Sequence, residues 1–372
     1  MRLLSLSLAG LVAALLSPSS PVTLAPSAAA QARSGNLTVY VVDVEGGNAT
    51  LVVSPSGESL LIDTGSPGSR DADRITAAAK DAGLTRIDHL VTTHYHSDHV
   101  GGVVDLGGRI PIRRFYDHGP NVETGDGPER LNAQYAGAYA KGTHTIAKAG
   151  DTIPVVGLEV QVVTSAGQAI RRPLAGGGTA NPLCASFTRQ DTDASENAQS
   201  VGTAITLGKF RMVHLGDLTW NKEFDLMCPT NPIGTIDLLI VSHHGLNVSN
   251  SPVLVHALWP RVAIMNNGIA KGGTPDTMRV IRTSPGLEDL WQLHFPLLGG
   301  QEYAAPGVFI ANPQPDAVVP VAPAPPVAPG VPAVPGSAHD GPAQWIKVSA
   351  QRDGTFTIVN SRNGFSKTYQ AR

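Results

Sequence analysis

Charge is scarce in this chain. Charged side chains make up 15% of its 372 residues, against 40 glycines and 29 prolines. That composition excludes a coiled coil or a wholly disordered polymer and suits a loop-rich protein with a real apolar core, one large domain or two ordinary ones. Basic clusters are also missing. Beyond the pairs Arg113-Arg114 and Arg171-Arg172 there is no run of Lys or Arg. Phosphate backbones are held mainly by such runs, so a small-molecule substrate is expected and long nucleic acid is not. There is neither a G-x-S-x-G elbow nor a P-loop, so no serine nucleophile of that type is expected. Past the N-terminus no apolar stretch is long enough to cross a bilayer. The oligomeric state stays open.

Residues 1–32 read as a secretory signal. Arg2 gives a minimal positive start, residues 3–16 are apolar apart from small residues, and Ala28, Ala30 and Ala32 offer cleavage sites. The other reading is an uncleaved anchor. Removing Arg2 takes 27 basic residues to 26 against 30 acidic ones, a mature net charge of −4. The expected location is secreted or periplasmic. Only two cysteines occur, Cys184 and Cys228. In an oxidising compartment they are expected to form one disulfide, with two buried free thiols as the alternative.

The richest stretch is Thr93-His94-Tyr95-His96-Ser97-Asp98-His99, preceded by Ile87–Thr92, which reads as a buried strand, and followed by Val100-Gly101-Gly102. Four metal-ligand side chains fall within six residues. His94 and His96 are two apart, so in an extended segment they point the same way. Asp98 and His99 can turn toward a second point where the chain bends into a helix. Imidazole nitrogens with carboxylate oxygens suit zinc best, as one or two ions, with manganese or iron as alternatives.

Strands are expected at residues 37–43, 49–53, 59–63, 87–92, 112–116 and 155–163. A pair turned at Gly208-Lys209 follows within 204–216, then strands at 236–241 and 262–265. Helices are expected over 71–82 and 129–141, and residues 166–200 read as an excursion loop. Hydrophobic strands repeatedly end in a ligand type: Asp63, His94, Asp217, His243. Sites in α/β folds often collect outside strand ends. Residues 313–343 form a Pro/Ala-rich linker or insertion. Residues 344–372 then carry a hairpin signal around Asp353-Gly354. An isolated hairpin is marginal in water, which favours docking on the main domain, 33–312, over a separate module.

Taken in order, Asp63-Thr64-Gly65, His94-Tyr-His-Ser-Asp98-His99, Gly216-Asp217 and His243-His244-Gly245 resemble the metallo-β-lactamase fold superfamily. Asp43-Val-Glu-Gly-Gly-Asn48-Ala, with the double histidine, is similar to the hydrolase-like domain of DNA-uptake competence proteins. The resemblance implies an α/β fold, an αββα sandwich with the metals at one edge, here with a C-terminal β-hairpin added. It implies that His94 and His96 hold a first metal, that Asp98 and His99 hold a second, and that Asp217 bridges the two. Either His243 or His244 would complete the second site, since neighbours in an extended chain point apart. Asp63 reads as an acceptor orienting a ligand histidine. The chain departs from the family's pattern where Asn197 stands near the place of a usual histidine; His118 and His144 are the residues considered to compensate.

The expected activity is that of an exported metal-dependent hydrolase. An ion lowers the pKa of bound water to about 7, so metal-bound hydroxide exists at neutral pH. Asp98 and Asp217 are the expected catalytic residues. Phosphodiesters are the preferred substrates, with carboxylic esters, lactones or β-lactams on the same site as the alternative. A third reading is an inactive metal-binding module.

Overall fold

The computed structural model describes residues 35–312 and 343–372. The signal expected over 1–32 and nearly all of the Pro/Ala-rich segment lie outside the described residues.

The first half of the chain supplies strands β1 (Leu37–Val41), β2 (Thr50–Val53), β3 (Ser59–Ile62), β4 (Ile87–Val91), β5 (Ile112–Asp117) and β6 (Thr143–Ile146). Next come β7 (Glu159–Ser165), β8 (Gln168–Ala169) and β9 (Thr179–Ala180). The hairpin β10 (Gly202–Leu207) and β11 (Phe210–His214) precedes the short β12 (Thr230–Asn231). The strands β13 (Leu238–Ile240), β14 (Val262–Met265), β15 (Asp289–His294) and β16 (Ile310–Asn312) follow. The C-terminus adds β17 (Ile346–Ala350), β18 (Phe356–Asn360) and β19 (Ser366–Tyr369).

Two sheets result, ordered β19-β18-β17-β1-β2-β3-β4-β5-β6 and β16-β15-β14-β13-β11-β10-β7-β8, with β12 and β9 as a small separate pair. β1 shows why they stack. Side chains alternate across a strand: Leu37, Val39 and Val41 enter a core shared with Val160, Ile205, Met212 and Trp291 of the second sheet. Tyr40 and Val42 enter a core with Ala72, Ile75 and Ala79 of the helix Ser69–Asp81. The helices Trp220–Met227 and Pro252–Leu258 cover the far face of the second sheet through Leu226, Leu254 and Leu258. The layers run helix, sheet, sheet, helix, the αββα sandwich.

β17 pairs antiparallel with β1, Leu37 opposite Ala350. The hairpin gains a third strand, β19, whose Tyr369 hydroxyl accepts a hydrogen bond from the Trp291 indole N–H at 3.0 Å. Several boundaries differ from the sequence reading. The strand expected from Val155 begins at Glu159, because Gly157 at φ +89° turns the chain first. The helix expected from Glu129 begins at Asp126. The exposed edge strand β6 carries no apolar alternation and was not expected. Residues 166–200, expected as a loop, hold β8, β9 and two 3-10 segments, and Cys184 within them is bonded to Cys228, 44 residues on.

Candidate metal centre

Parallel strand ends assemble the site. β3 and β4 are parallel, as are β11, β13 and β14. Asp63 follows β3, the histidine loop follows β4, Asp217 follows β11 and His243-His244 follows β13. The two sheets meet here: His99 Nε2 lies 3.3 Å from His244 Nε2, and Val201 N donates to Thr93 O at 2.8 Å.

One oxygen is the focus. Asp217 Oδ2 lies 3.3 Å from the Nε2 atoms of His99 and His244, 3.4 Å from that of His243 and 3.9 Å from that of His94. Asp98 Oδ2 lies 3.4 Å from His99 Nε2 and 3.3 Å from His244 Nε2. Two overlapping donor sets follow, His94/His99/Asp217 and Asp98/His99/His244, each with ligand atoms within 4.8 Å of one another. Buried imidazoles turned nitrogen to nitrogen around two carboxylates have more lone pairs than protons to fill them. That donor chemistry fits a divalent ion with mixed N and O preference.

The surrounding residues fix the tautomers. Asp63 Oδ2 accepts the His99 Nδ1–H at 2.7 Å, which leaves the Nε2 lone pair facing the centre. Asp63 also accepts Thr93 N at 2.7 Å, the Thr93 hydroxyl at 2.8 Å and Asn48 Nδ2 at 3.0 Å. The Thr93 hydroxyl, having given its proton to Asp63, accepts from His94 Nδ1 at 3.0 Å. His94 Nε2 is thereby freed in the same way.

The Asp43–Ala49 stretch is scaffolding for this arrangement. Asn48 N donates to Asp98 O at 3.1 Å, and a Cβ on Gly47 would collide with that same carbonyl. Only glycine lets the β1–β2 turn come so close to the ligand loop.

His244 enters a donor set and His243 does not, but the extended geometry expected to turn the pair apart is not found. His243 (φ 52°, ψ 40°) and His244 (φ 55°, ψ 11°) are both left-handed and not extended, so both rings reach Asp217. Two consecutive non-glycine residues in this region are strained. The loop is over-determined to match. Ser242 N donates to Asn250 Oδ1 at 3.1 Å, Ser249 Oγ meets His243 Nδ1 at 3.1 Å, and Glu223 accepts the N–H groups of Asn250 and Ser251 at 2.6 and 2.7 Å.

Other expected residues fall outside both donor sets, although His96 lies directly beside His94. His96 is in neither donor set: its Nδ1 lies 3.1 Å from His94 Nε2, and its Nε2 lies 3.1 Å from Glu123 Oε1. His118 is also in neither, because Glu196 holds its Nε2 at 2.8 Å. His144 stacks on Tyr139 and bonds Asp117 at 2.5 Å. Asn197 sits on the 3-10 turn Glu196–Gln199, with Oδ1 buried and without a hydrogen-bond partner. Glu196 pins that turn to the histidine loop by accepting Tyr95 N at 3.0 Å.

Charge at the centre is strongly shifted. Burial raises the Asp217 pKa, but His99, His244 and His243 outweigh it and hold the carboxyl far below its usual range. Burial acts likewise on Asp98, where Lys271 and His99 win. Burial opposes a charged His99, yet Asp217, Asp98 and Asp63 push its pKa well above normal, so a proton on Nε2 must leave before that atom can hold an ion. His94 goes well below normal through burial and the neighbouring His99.

Sequence reasoning missed several participants. His214 ends β11, fully buried, with Nδ1 accepting Gly216 N at 3.1 Å; burial lowers its pKa to about 4. Its position just before Gly216-Asp217 was the available signal. Glu223 and Lys271 carried none. Lys271 makes an ion pair with Asp98 from a loop 173 residues further along the chain.

Residues 42–193 match the family model for the metallo-beta-lactamase superfamily. Those residues resemble that superfamily, most of whose members are metal-dependent hydrolases. Among its relatives, Recombination protein 2 of Haemophilus influenzae is 28% identical over 233 residues, 62% of this chain and 24% of that protein. Thioesterase pkgB of Emericella nidulans is 36% identical over 75 residues, 20% of this chain and 22% of that one. The chain thus spans about a quarter of the length of these curated relatives. Among solved structures, the metallo-beta-lactamase fold protein YhfI from Bacillus subtilis aligns with a TM-score of 0.43 at 13% identity, over 69% of this chain and 96% of that one.

Proposed function

We propose that the protein is an exported metal-dependent hydrolase of phosphodiesters. The observation that carries the hydrolase reading is the convergence of four imidazoles on one Asp217 oxygen. His94, His99 and Asp217 would hold one ion, and Asp98 and His244 offer donors for a second, the single Nε2 lone pair of His99 serving one ion at a time. His243 meets the same Asp217 oxygen at 3.4 Å, and burial lowers its pKa to about 4. It is therefore a neutral imidazole, suited to accept or donate a hydrogen bond to substrate. A divalent ion bound here would supply a Lewis acid and a water that ionises near neutral pH. The chain's own contribution is to keep Asp98 and Asp217 ionised and to hold each imidazole in one tautomer. A divalent ion held here would favour a substrate whose reacting centre carries negative charge, which supports a phosphodiester over a neutral ester.

A second reading has its own observation. The thioesterase match supports thioesters or carboxylic esters on the same site. The test is a zinc- or manganese-loaded sample assayed side by side on an activated phosphodiester, a thioester and a lactone. Turnover of the phosphodiester at least tenfold faster than of the others supports the first reading, and faster thioester turnover reverses the order. Bound metal with no turnover would identify a binding module.

Export rests on residues 1–32 and is supported by the Cys184–Cys228 disulfide, which suits an oxidising compartment. N-terminal sequencing of protein recovered from a bacterial periplasm should begin near residue 33. An N-terminus still starting at Met1 in a membrane fraction would show an uncleaved anchor instead.

A further inference from the structure

Lys271 lies in the turn that follows β14. That turn is fastened on two sides. Gly268 N donates to Lys271 O at 2.9 Å, and Gly273 N and Thr274 N donate to His244 O and Gly245 O at 3.1 and 3.0 Å. On the other side a Cβ at Gly46 would lie 2.9 Å from Gly268 N and 3.1 Å from Lys271 Cβ. The lysine backbone is thus gripped between the double-histidine loop and the β1–β2 turn. Its ammonium is directed onto Asp98 Oδ2, while 39% of the side chain stays exposed at the mouth of the site. This is the same oxygen that meets His99 and His244.

We propose that Lys271 is an internal competitor for the second metal position and makes the two ions unequal in affinity. The inference rests on the metal-centre reading above. The set His94/His99/Asp217 does not include Asp98, so the ammonium leaves it intact. The set Asp98/His99/His244 needs the oxygen that Lys271 holds. A lysine ammonium is a compact full charge with three N–H donors. A divalent ion taking the same oxygen must displace it or bear its repulsion, and that repulsion grows where water is scarce. The first ion therefore binds tightly and the second weakly. With one ion bound, Lys271 itself neutralises Asp98. The exposed stem gives the amine a route to solvent when a second ion enters.

The test is a stepwise zinc titration of the metal-free full chain against a chromophoric competing chelator, giving two dissociation constants. The wild type should show a second constant at least about tenfold weaker than the first. Lys271→Met should tighten the second by about tenfold or more and leave the first nearly unchanged. Lys271→Arg, which keeps the charge, should behave as wild type. Thermal melts of the metal-free variants check folding, and Lys271→Gln replaces the methionine variant if that one does not fold. A second constant unchanged or weaker in the neutral variant overturns the inference while leaving the metal centre standing. Tightening in the arginine variant as well overturns it by showing that shape and not charge matters. No zinc binding by the wild type overturns the metal centre and this inference together.

Discussion

At the residue scale, Asp217 is the point on which the site turns. It meets four imidazoles through one oxygen, and they keep it ionised despite full burial. Asp217→Asn retains the shape but loses the charge, and Asp98→Ala removes the carboxylate of the second donor set. Each should lower kcat by about 100-fold or more on whichever ester is turned over, with the melting temperature of the metal-free protein little changed. Full activity in either would remove that residue from the catalytic centre. Asp63 acts through His99. Asp63→Asn should weaken binding of the first ion by about 10- to 100-fold, read by chelator competition.

Glu223 supplies a pH test away from the ligands. It is fully buried beneath the double-histidine loop, and burial raises its pKa from 4.5 to about 7, against the pull of its bonds to Ser251 and Asn250. The folded state therefore holds a proton that the unfolded chain releases above pH 4.5, so this group's contribution falls as pH rises from about 4.5 to 7 and then levels off. The full difference is on the order of 3 kcal/mol. Glu223→Gln cannot ionise. Its stability relative to wild type, from denaturant melts, should improve between pH 5 and pH 8. A gap that is constant across that range would show that Glu223 is already ionised at pH 5.

At the element scale, the ligand loops are held by close backbone approach. Gly47 is the clearest case, since a Cβ there would run into the Asp98 carbonyl. Gly47→Ala must push the 97–100 helical turn away, which should cost about 1–3 kcal/mol of stability and weaken the Asp98 set. Chelator titration of that variant should show a poorer second constant, the opposite of the effect expected for Lys271→Met. Unchanged metal binding would mean that the turn yields instead of the ligand loop. The left-handed pair His243-His244 belongs to this scale too. No local preference favours it, and it persists because Asn250, Ser249 and Glu223 grip the loop from three sides.

At the scale of the whole molecule, Cys184–Cys228 ties the long excursion after β7 to the end of the helix Trp220–Met227. Closing a loop of about 45 residues is worth ~4 kcal/mol in the chain-entropy model. Reduction under native conditions should lower the melting temperature, and thiol counting on protein purified without reductant should find none free. Two free thiols in folded, fully stable material would show that the bridge is dispensable. The C-terminal strands complete the first sheet beside β1 and bury Phe356, Ile358 and Tyr369 in the core shared by both sheets.

The sequence alone carried the succession of strands and helices of an α/β chain, while the αββα layering was implied by the resemblance of its motifs to a known superfamily. It also marked His94, Asp98, His99, Asp217 and the double histidine, because metal-ligating side chains after strands are rare and short-range in spacing. Only tertiary structure decided how they meet. That His99 is shared by two donor sets, that both members of the double histidine face inward, and that His96 leans to Glu123 depend on contacts between segments far apart in the chain. Lys271 and Glu223 were invisible for the same reason. A charge becomes part of a site through what it is brought against, and no local pattern records that Lys271 would be folded onto a carboxylate 173 residues away.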